Sequence, residues 1–203
     1  MAKYYYRDAL MIGVGGTAAL IALRRASDWV STHWPTPHQS LGAAFGNDFG
    51  SMLPAISIPA TAVLHGLLFT GLIAAAAGFI AAHCKSPAIR GALFVLGSLA
   101  MVGGWGSSAD FLKQWIASAI FLAVVVFGIV RVARLNLLGY FLIFAIATLL
   151  TGCVELLSQP NGFYHVQGMV CIAALVITLI WPLSAWLSAK DVPVRAETVP
   201  EVR

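Results

Sequence analysis

The stretch Ala60–Ala82, ATAVLHGLLFTGLIAAAAGFIAA, contains no charged residue in 23 positions, and it decides the fold class of this chain. Two further runs share this property, Leu135–Val154 and Val166–Ala189. The hydrocarbon core of a bilayer is about 30 Å thick, and a helix needs roughly 20 apolar residues to cross it. Backbone polar groups find no water there, which favours helices. The sequence therefore predicts an all-α, polytopic transmembrane helix bundle.

The composition supports lipid as the solvent for much of the chain. Hydrophobic residues make up 60% of the 203 positions and charged residues only 10%, whereas a soluble domain is about 25% charged. The net charge of +4 does not indicate a nucleic-acid partner, because the basic residues lie at predicted helix ends rather than in one cluster. The three cysteines form neither a disulfide framework nor a zinc pattern.

The apolar segments predict one domain over residues 1–189 with six spans, followed by a disordered cytoplasmic tail over residues 190–203. The predicted spans are 9–23, 60–83, 87–104, 111–130, 135–157 and 166–188. The first segment has only 15 apolar residues, so an alternative with five spans leaves 9–23 as an interfacial helix. Prolines and glycines predict a long outer loop over residues 28–59.

The positions of the basic residues predict the orientation of the chain. With the N-terminus inside, nine of the twelve lysines and arginines fall in the inner segments, which favours both termini in the cytoplasm. Arg24 and Arg25 fall on the opposite side and contradict this pattern. We expect a multi-pass protein of the cell inner (plasma) membrane.

Four polar residues are candidates for a ligand or polar site: Glu155, His65, Asp48 and His165. Glu155 is the only acid well inside a predicted span, where a charge costs about 2.5–3.5 kcal/mol on insertion scales. It also lies close to the span's end, which favours an interfacial carboxylate. His65 has the chemistry of a proton relay or metal ligand, but no second ligand follows at helical spacing, so a hydrogen-bonded histidine between helices is favoured.

The other two candidates fall at predicted turns. His165 begins the last span at the interface, and Asp48 lies in the Gly46–Gly50 turn, where a pocket role requires the loop to fold back onto the bundle. We predict no metal site and no cofactor, and no catalytic residue is assigned. Gly- and Ala-rich helix faces favour close packing against a membrane-protein partner or a second copy of the chain.

Three stretches carry a family resemblance: Tyr5–Leu10, Trp34–Pro37 and Leu135–Phe141. They resemble the membrane region that accompanies the protease domain in long bacterial members of the CAAX-protease and bacteriocin-processing (CPBP) family. The resemblance implies Glu-Glu-x-x-x-Arg and His-x-x-x-Asn/Asp motifs for catalysis, and this sequence has neither. Of the third motif that the resemblance implies, Phe-x-x-x-His, one copy occurs here, at Phe79–His83. The resemblance therefore implies an accessory, non-catalytic membrane part.

Three functions remain open at this point. The first is a non-catalytic module associated with a CPBP-type intramembrane protease or another membrane partner. The second is a small transporter or channel subunit, which needs intramembrane polar groups. The third is an intramembrane hydrolase that uses Glu155 with a histidine, and it requires those side chains to lie within hydrogen-bonding reach.

Overall fold

The fold of this protein is all-α, as the sequence predicts. The computed structural model describes residues 2–33, 53–102, 107–133 and 136–189, and these residues form helices joined by short turns. In chain order the α-helices are α1 (Ala2–His33), α2 (Pro54–His83), α3 (Pro87–Ala100), α4 (Ser108–Phe127), α5 (Leu137–Leu157) and α6 (Gly162–Ser188). A π-helical segment, Gly128–Ala133, continues α4. The predicted tail 190–203 lies outside the described residues.

Five of the six described α-helices are long and apolar enough to cross a membrane, which fits a multi-pass membrane protein. The short helix is α3 and not the first segment, where the alternative with five spans had placed it. With 14 residues, α3 is about 21 Å long at 1.5 Å per residue. The sequence Gly103-Gly104 follows it closely, and glycine is a poor helix former.

The first segment is longer than predicted because its helix includes charged residues. The apolar window of α1 extends from Lys3 to Ala26. Near its start, the Arg7 guanidinium lies 3.1 Å from an Asp8 carboxylate oxygen and 5.1 Å from the centroid of the Tyr4 ring. An ion pair and a cation–π contact lower the cost of holding these charges at a membrane interface.

Helix also occupies both ends of the predicted loop over residues 28–59. Its first residues belong to α1, and α2 begins at Pro54 and continues through Pro59. Proline is tolerated in the first turn, since those amides have no partner within the helix, and membrane helices accept it further along. The remainder of this loop, including Asp48, lies outside the described residues.

The most buried helix in the described structure is α5, which packs against α1, α2 and α6. Of its apolar window, 56% is buried. Glycines permit this close packing: a Cβ atom at Gly139 would lie 2.9 Å from Ile12 of α1, and one at Gly152 would lie 2.6 Å from Ile58 of α2. In α6, a Cβ atom at Gly168 would lie 2.9 Å from Leu157.

Side-chain contacts give the relative directions of the helices around α5. The Asn136 side chain donates a hydrogen bond to the Tyr5 carbonyl oxygen at 3.2 Å, so α1 and α5 begin at the same end of the bundle. Ile58, near the start of α2, packs on Gly152, near the end of α5. We call the end where α2 and α6 begin the Pro160 end, and the end where α1 and α5 begin the Cys84 end.

Helices α3 and α4 form a peripheral hairpin. The Trp115 indole N–H donates to the Ser98 hydroxyl at 2.9 Å, and that hydroxyl donates to the Val95 carbonyl at 2.8 Å. No residue in the apolar window of α4 is buried. The hairpin joins the core mainly at the π-helical segment, where Ile129 packs against Ile12 and Tyr140.

We predict that Gly13→Ala destabilises the protein and that Gly15→Ala does not. A Cβ atom at Gly13 would lie 2.7 Å from Leu142 Cβ, an atom held close to the α5 backbone, whereas one at Gly15 meets nothing within 4 Å. Overpacking a well-packed site costs about 1–3 kcal/mol. Reversible unfolding in mixed micelles measures the difference, and equal unfolding free energies for the two variants would contradict glycine-mediated packing of α1 on α5.

Candidate functional site

The structure separates the predicted site residues onto three helices. His65 lies in α2, Glu155 in the last turn of α5, and His165 in the first turn of α6. Asp48 lies outside the described residues. His65 and Glu155 fall on the same interface, between α2 and α5, whereas His165 belongs to the turn between α5 and α6.

His165 closes that turn. Its Nε2 atom lies 2.7 Å from the Gln159 carbonyl oxygen, which can only accept, so the ring donates this hydrogen bond. At the same turn Asn161 caps α6, because its side-chain oxygen accepts from the Phe163 amide at 2.9 Å. These contacts satisfy backbone groups that the helix ends leave open, and they explain His165 as a structural residue.

His65 sits at the α2–α5 interface beside aromatic rings. Its Nδ1 atom lies 3.5 Å from the Thr148 hydroxyl oxygen of α5. One turn further along α2, the Phe69 ring stacks on Phe144, with 4.7 Å between the ring centroids. These two contacts place His65 opposite Thr148 and Phe69 opposite Phe144 in an antiparallel pair of helices.

The same register continues toward the Pro160 end through polar residues. Steps of four residues from His65 along α2 lead to Thr61 and Ser57, and steps of three and four from Thr148 along α5 lead to Thr151 and Glu155. Residues at these spacings share one helix face. We call the set the α2–α5 polar row: Ser57, Thr61, His65, Thr148, Thr151 and Glu155.

The polar row lies on a flank of the interface rather than in its centre. Thr148 is buried, and the other five residues are half-buried. The centre of the interface is apolar, with Ile58 and Ala62 of α2 in one buried cluster with Leu149 of α5. The row is therefore partly exposed at every position except Thr148.

Two hydroxyls of the row are not bonded within the described structure. Threonines in apolar helices usually donate to a carbonyl one turn back, and Thr17 and Thr178 do so at 2.8 Å. Thr61 and Thr151 make no side-chain hydrogen bond to any described residue. Their hydroxyl groups are therefore left for another partner.

The row ends in apolar contacts toward the Cys84 end. After the Phe69–Phe144 stack, the next residues in register are Ile73 and Tyr140, and Ile129 of the π-helical segment packs into the same cluster. The polar row therefore extends from the Pro160 end to His65 and Thr148, and aromatic and aliphatic side chains follow it.

The described residues do not assemble an acid–base pair from Glu155 and His65. Thr148, the partner of His65, precedes Glu155 by seven residues, or about 10 Å along the α5 axis. Within the described ranges the Glu155 carboxylate makes no hydrogen bond or ion pair, and no three metal-ligating side chains come together. The pairing of Glu155 with His65 that the hydrolase alternative requires is therefore not formed among the described residues.

The sequence identified the two ionisable residues of the row but missed its hydroxyl residues. The missed signal was the spacing of four residues between Ser57, Thr61 and His65. A matching face of α5 carries Thr148 and Thr151. Which face of α5 meets α2 depends on the packing of both helices, and a single apolar run does not reveal it.

We predict a measurable coupling between His65 and Thr148. Interhelical hydrogen bonds in membranes average about 0.6 kcal/mol and reach about 1.7 kcal/mol. A double-mutant cycle with His65→Phe and Thr148→Val, measured by reversible unfolding in mixed micelles, is expected to give a value in this range. The matched cycle with Thr178→Val is expected to give none, since Thr178 donates to Ala174 of its own helix. Equal coupling in both cycles would show that the contact contributes nothing specific.

Comparisons of this chain with protein-family models, with curated proteins and with solved structures find no match. The resemblance to the CPBP family therefore stays a prediction.

Proposed function

We propose that this protein is a non-catalytic, multi-span module of the bacterial inner membrane that binds another membrane protein through its α3–α4 hairpin. The observation that carries the proposal is the burial of the apolar windows. More than half of the α5 window is buried, whereas none of the α4 window is. The α2 and α6 windows are 6% and 11% buried, so α4 has the least buried window among the described spans. The hairpin also has little packing beyond its own pair of helices.

Exposure to lipid alone does not require a partner, since lipid chains also cover apolar side chains. The length of α3 supplies the further argument. At about 21 Å it falls short of a hydrocarbon core of about 30 Å. A short helix is accommodated by thinning the bilayer or by associating with other helices. Gly91 of α3, where a Cβ atom would meet nothing within 4 Å, offers such a helix a close approach.

The resemblance found in the sequence supports a CPBP-type protease as the first partner to test. Such a partner supplies the Glu-Glu-x-x-x-Arg motif that this chain lacks. A second copy of the chain is the other outcome that the exposed hairpin allows, and the two outcomes differ in the mass of a cross-linked product.

We predict that a photo-cross-linking residue in α4 captures this partner. Ile120 and Phe127 are 61% and 64% exposed on α4, and Ile177 of α6, 66% exposed, is the matched position on the core. Benzoylphenylalanine at Ile120 or Phe127 is expected to cross-link to a coexpressed CPBP protease in the membrane, and at Ile177 it is not. A cross-link to a second copy would replace the protease with a homo-oligomer. The same products at all three positions, or none, would contradict a partner surface on α4.

The proposal includes an orientation with both termini in the cytoplasm. Lys3, Arg7, Lys85 and Arg90 belong to the segments at the Cys84 end, and basic residues favour the cytoplasmic side. The Pro160 end then faces the periplasm.

Thiol labelling in intact cells tests this orientation. A membrane-impermeant reagent is expected to label Asn161→Cys and not Ser86→Cys, and inside-out vesicles should reverse the result. The wild-type chain is the control, because Cys84, Cys153 and Cys171 are all buried. Labelling of Ser86→Cys alone in intact cells would invert the proposed topology.

A further inference from the structure

The α2–α5 polar row carries an inference that is independent of the proposed partner surface. Its hydroxyl groups lie inside two helices that are otherwise apolar. A hydroxyl group without a hydrogen-bond partner is costly in hydrocarbon. Thr61 and Thr151 have no such partner among the described residues.

The mouth of the row is polar as well. Ser57 and Glu155 are half-buried at the Pro160 end, where α2 begins. A carboxylate and a hydroxyl group at the entrance hold water more readily than aliphatic side chains do.

The opposite end of the row is closed. The Phe69 and Phe144 rings stack with an interplanar angle of 25°, and the cluster of Ile73, Tyr140 and Ile129 follows in the same register. Water that entered at the Pro160 end would meet hydroxyl groups as far as His65 and the stacked Phe69 and Phe144 rings after it.

We propose that the α2–α5 polar row is a water-filled half-channel that opens at the Pro160 end and ends at His65. It admits water and small hydrated cations, and Glu155, the only carboxylate of the row, favours cations at the entrance. Water satisfies the hydroxyl groups of Thr61 and Thr151. The half-channel makes His65 accessible from one side of the membrane only.

Cysteine accessibility distinguishes water from lipid in this row. A thiol reacts as its thiolate, which forms in water and not in hydrocarbon. Thr61→Cys is the test variant, since the two side chains are similar in size. Val63→Cys and Leu67→Cys are the matched controls on the same helix, because these side chains are 49% and 61% exposed and their spacings of two and six residues from Thr61 place them on another side of α2. The probe is a trimethylammonium-ethyl methanethiosulfonate.

We expect Thr61→Cys to react at least ten times faster than Val63→Cys or Leu67→Cys in open membrane fragments, where the orientation of the chain has no influence. In sealed vesicles, Thr61→Cys is expected to react from the same side as Asn161→Cys. Ile73→Cys, beyond the aromatic stack, is expected to react as slowly as Val63→Cys and Leu67→Cys. Ser57→Cys and Thr151→Cys repeat the test if Thr61→Cys does not fold.

Two results would overturn the half-channel. Equal rates at Thr61→Cys and Leu67→Cys would show that lipid or a protein helix covers the row. A fast reaction at Ile73→Cys would show that the path continues past the aromatic stack. The Glu155→Gln substitution tests the entrance: in the Thr61→Cys background it is expected to slow the cationic reagent about threefold or more and to leave a neutral methanethiosulfonate unaffected. An equal effect on both reagents would show that the Glu155 carboxylate does not attract cations at the entrance.

Discussion

The structure depends on how closely helix backbones can approach in a solvent that is as apolar as their side chains. Lipid chains cover leucine and isoleucine as well as a neighbouring helix does, so hydrophobicity gives little drive for helices to associate. Close backbone contact then supplies the dispersion energy. Gly13 and Gly139 provide it between α1 and α5, Gly152 between α2 and α5, and Gly168 between α5 and α6. The position of α5 at the centre of the core follows from these contacts.

The same constraint separates what could be predicted from the sequence from what could not. Uncharged runs such as Ala60–Ala82 indicate helices because no other backbone structure is satisfied in lipid, and all six predicted segments contain a helix. The bounds of two elements were harder to predict. Charged residues marked the ends of the first segment, yet the helix continues past Arg24 and Arg25 to His33. The last residues of the predicted span 87–104 follow the end of α3, at Ala100.

The candidate site shows a different limit. Glu155 and His65 stood out because an ionisable side chain inside an apolar run is rare, and that argument uses one residue at a time. The polar row needs the register between two helices, which depends on where Ile58 meets Gly152 and where Phe69 meets Phe144. A run of apolar residues contains no information on that register. Threonine is also common in membrane helices, where its hydroxyl usually bonds to the helix itself. Nothing in the sequence therefore distinguishes Thr61 and Thr151 from other threonines.

Helix α4 links the two surfaces that the structure leaves open. Along its length it has no buried residue in its apolar window, and at its end the π-helical segment places Ile129 against Ile73 and Tyr140, where the polar row closes. A π-helix shifts the register of a helix by one residue, and such segments are frequent at functional sites. A partner that contacts α4 would therefore act on the same helix that closes the row. Such a partner can change this closure only if it binds one placement of α4 more tightly than another. The sparse packing of α4 on the core leaves few contacts to oppose a movement of the helix between these placements.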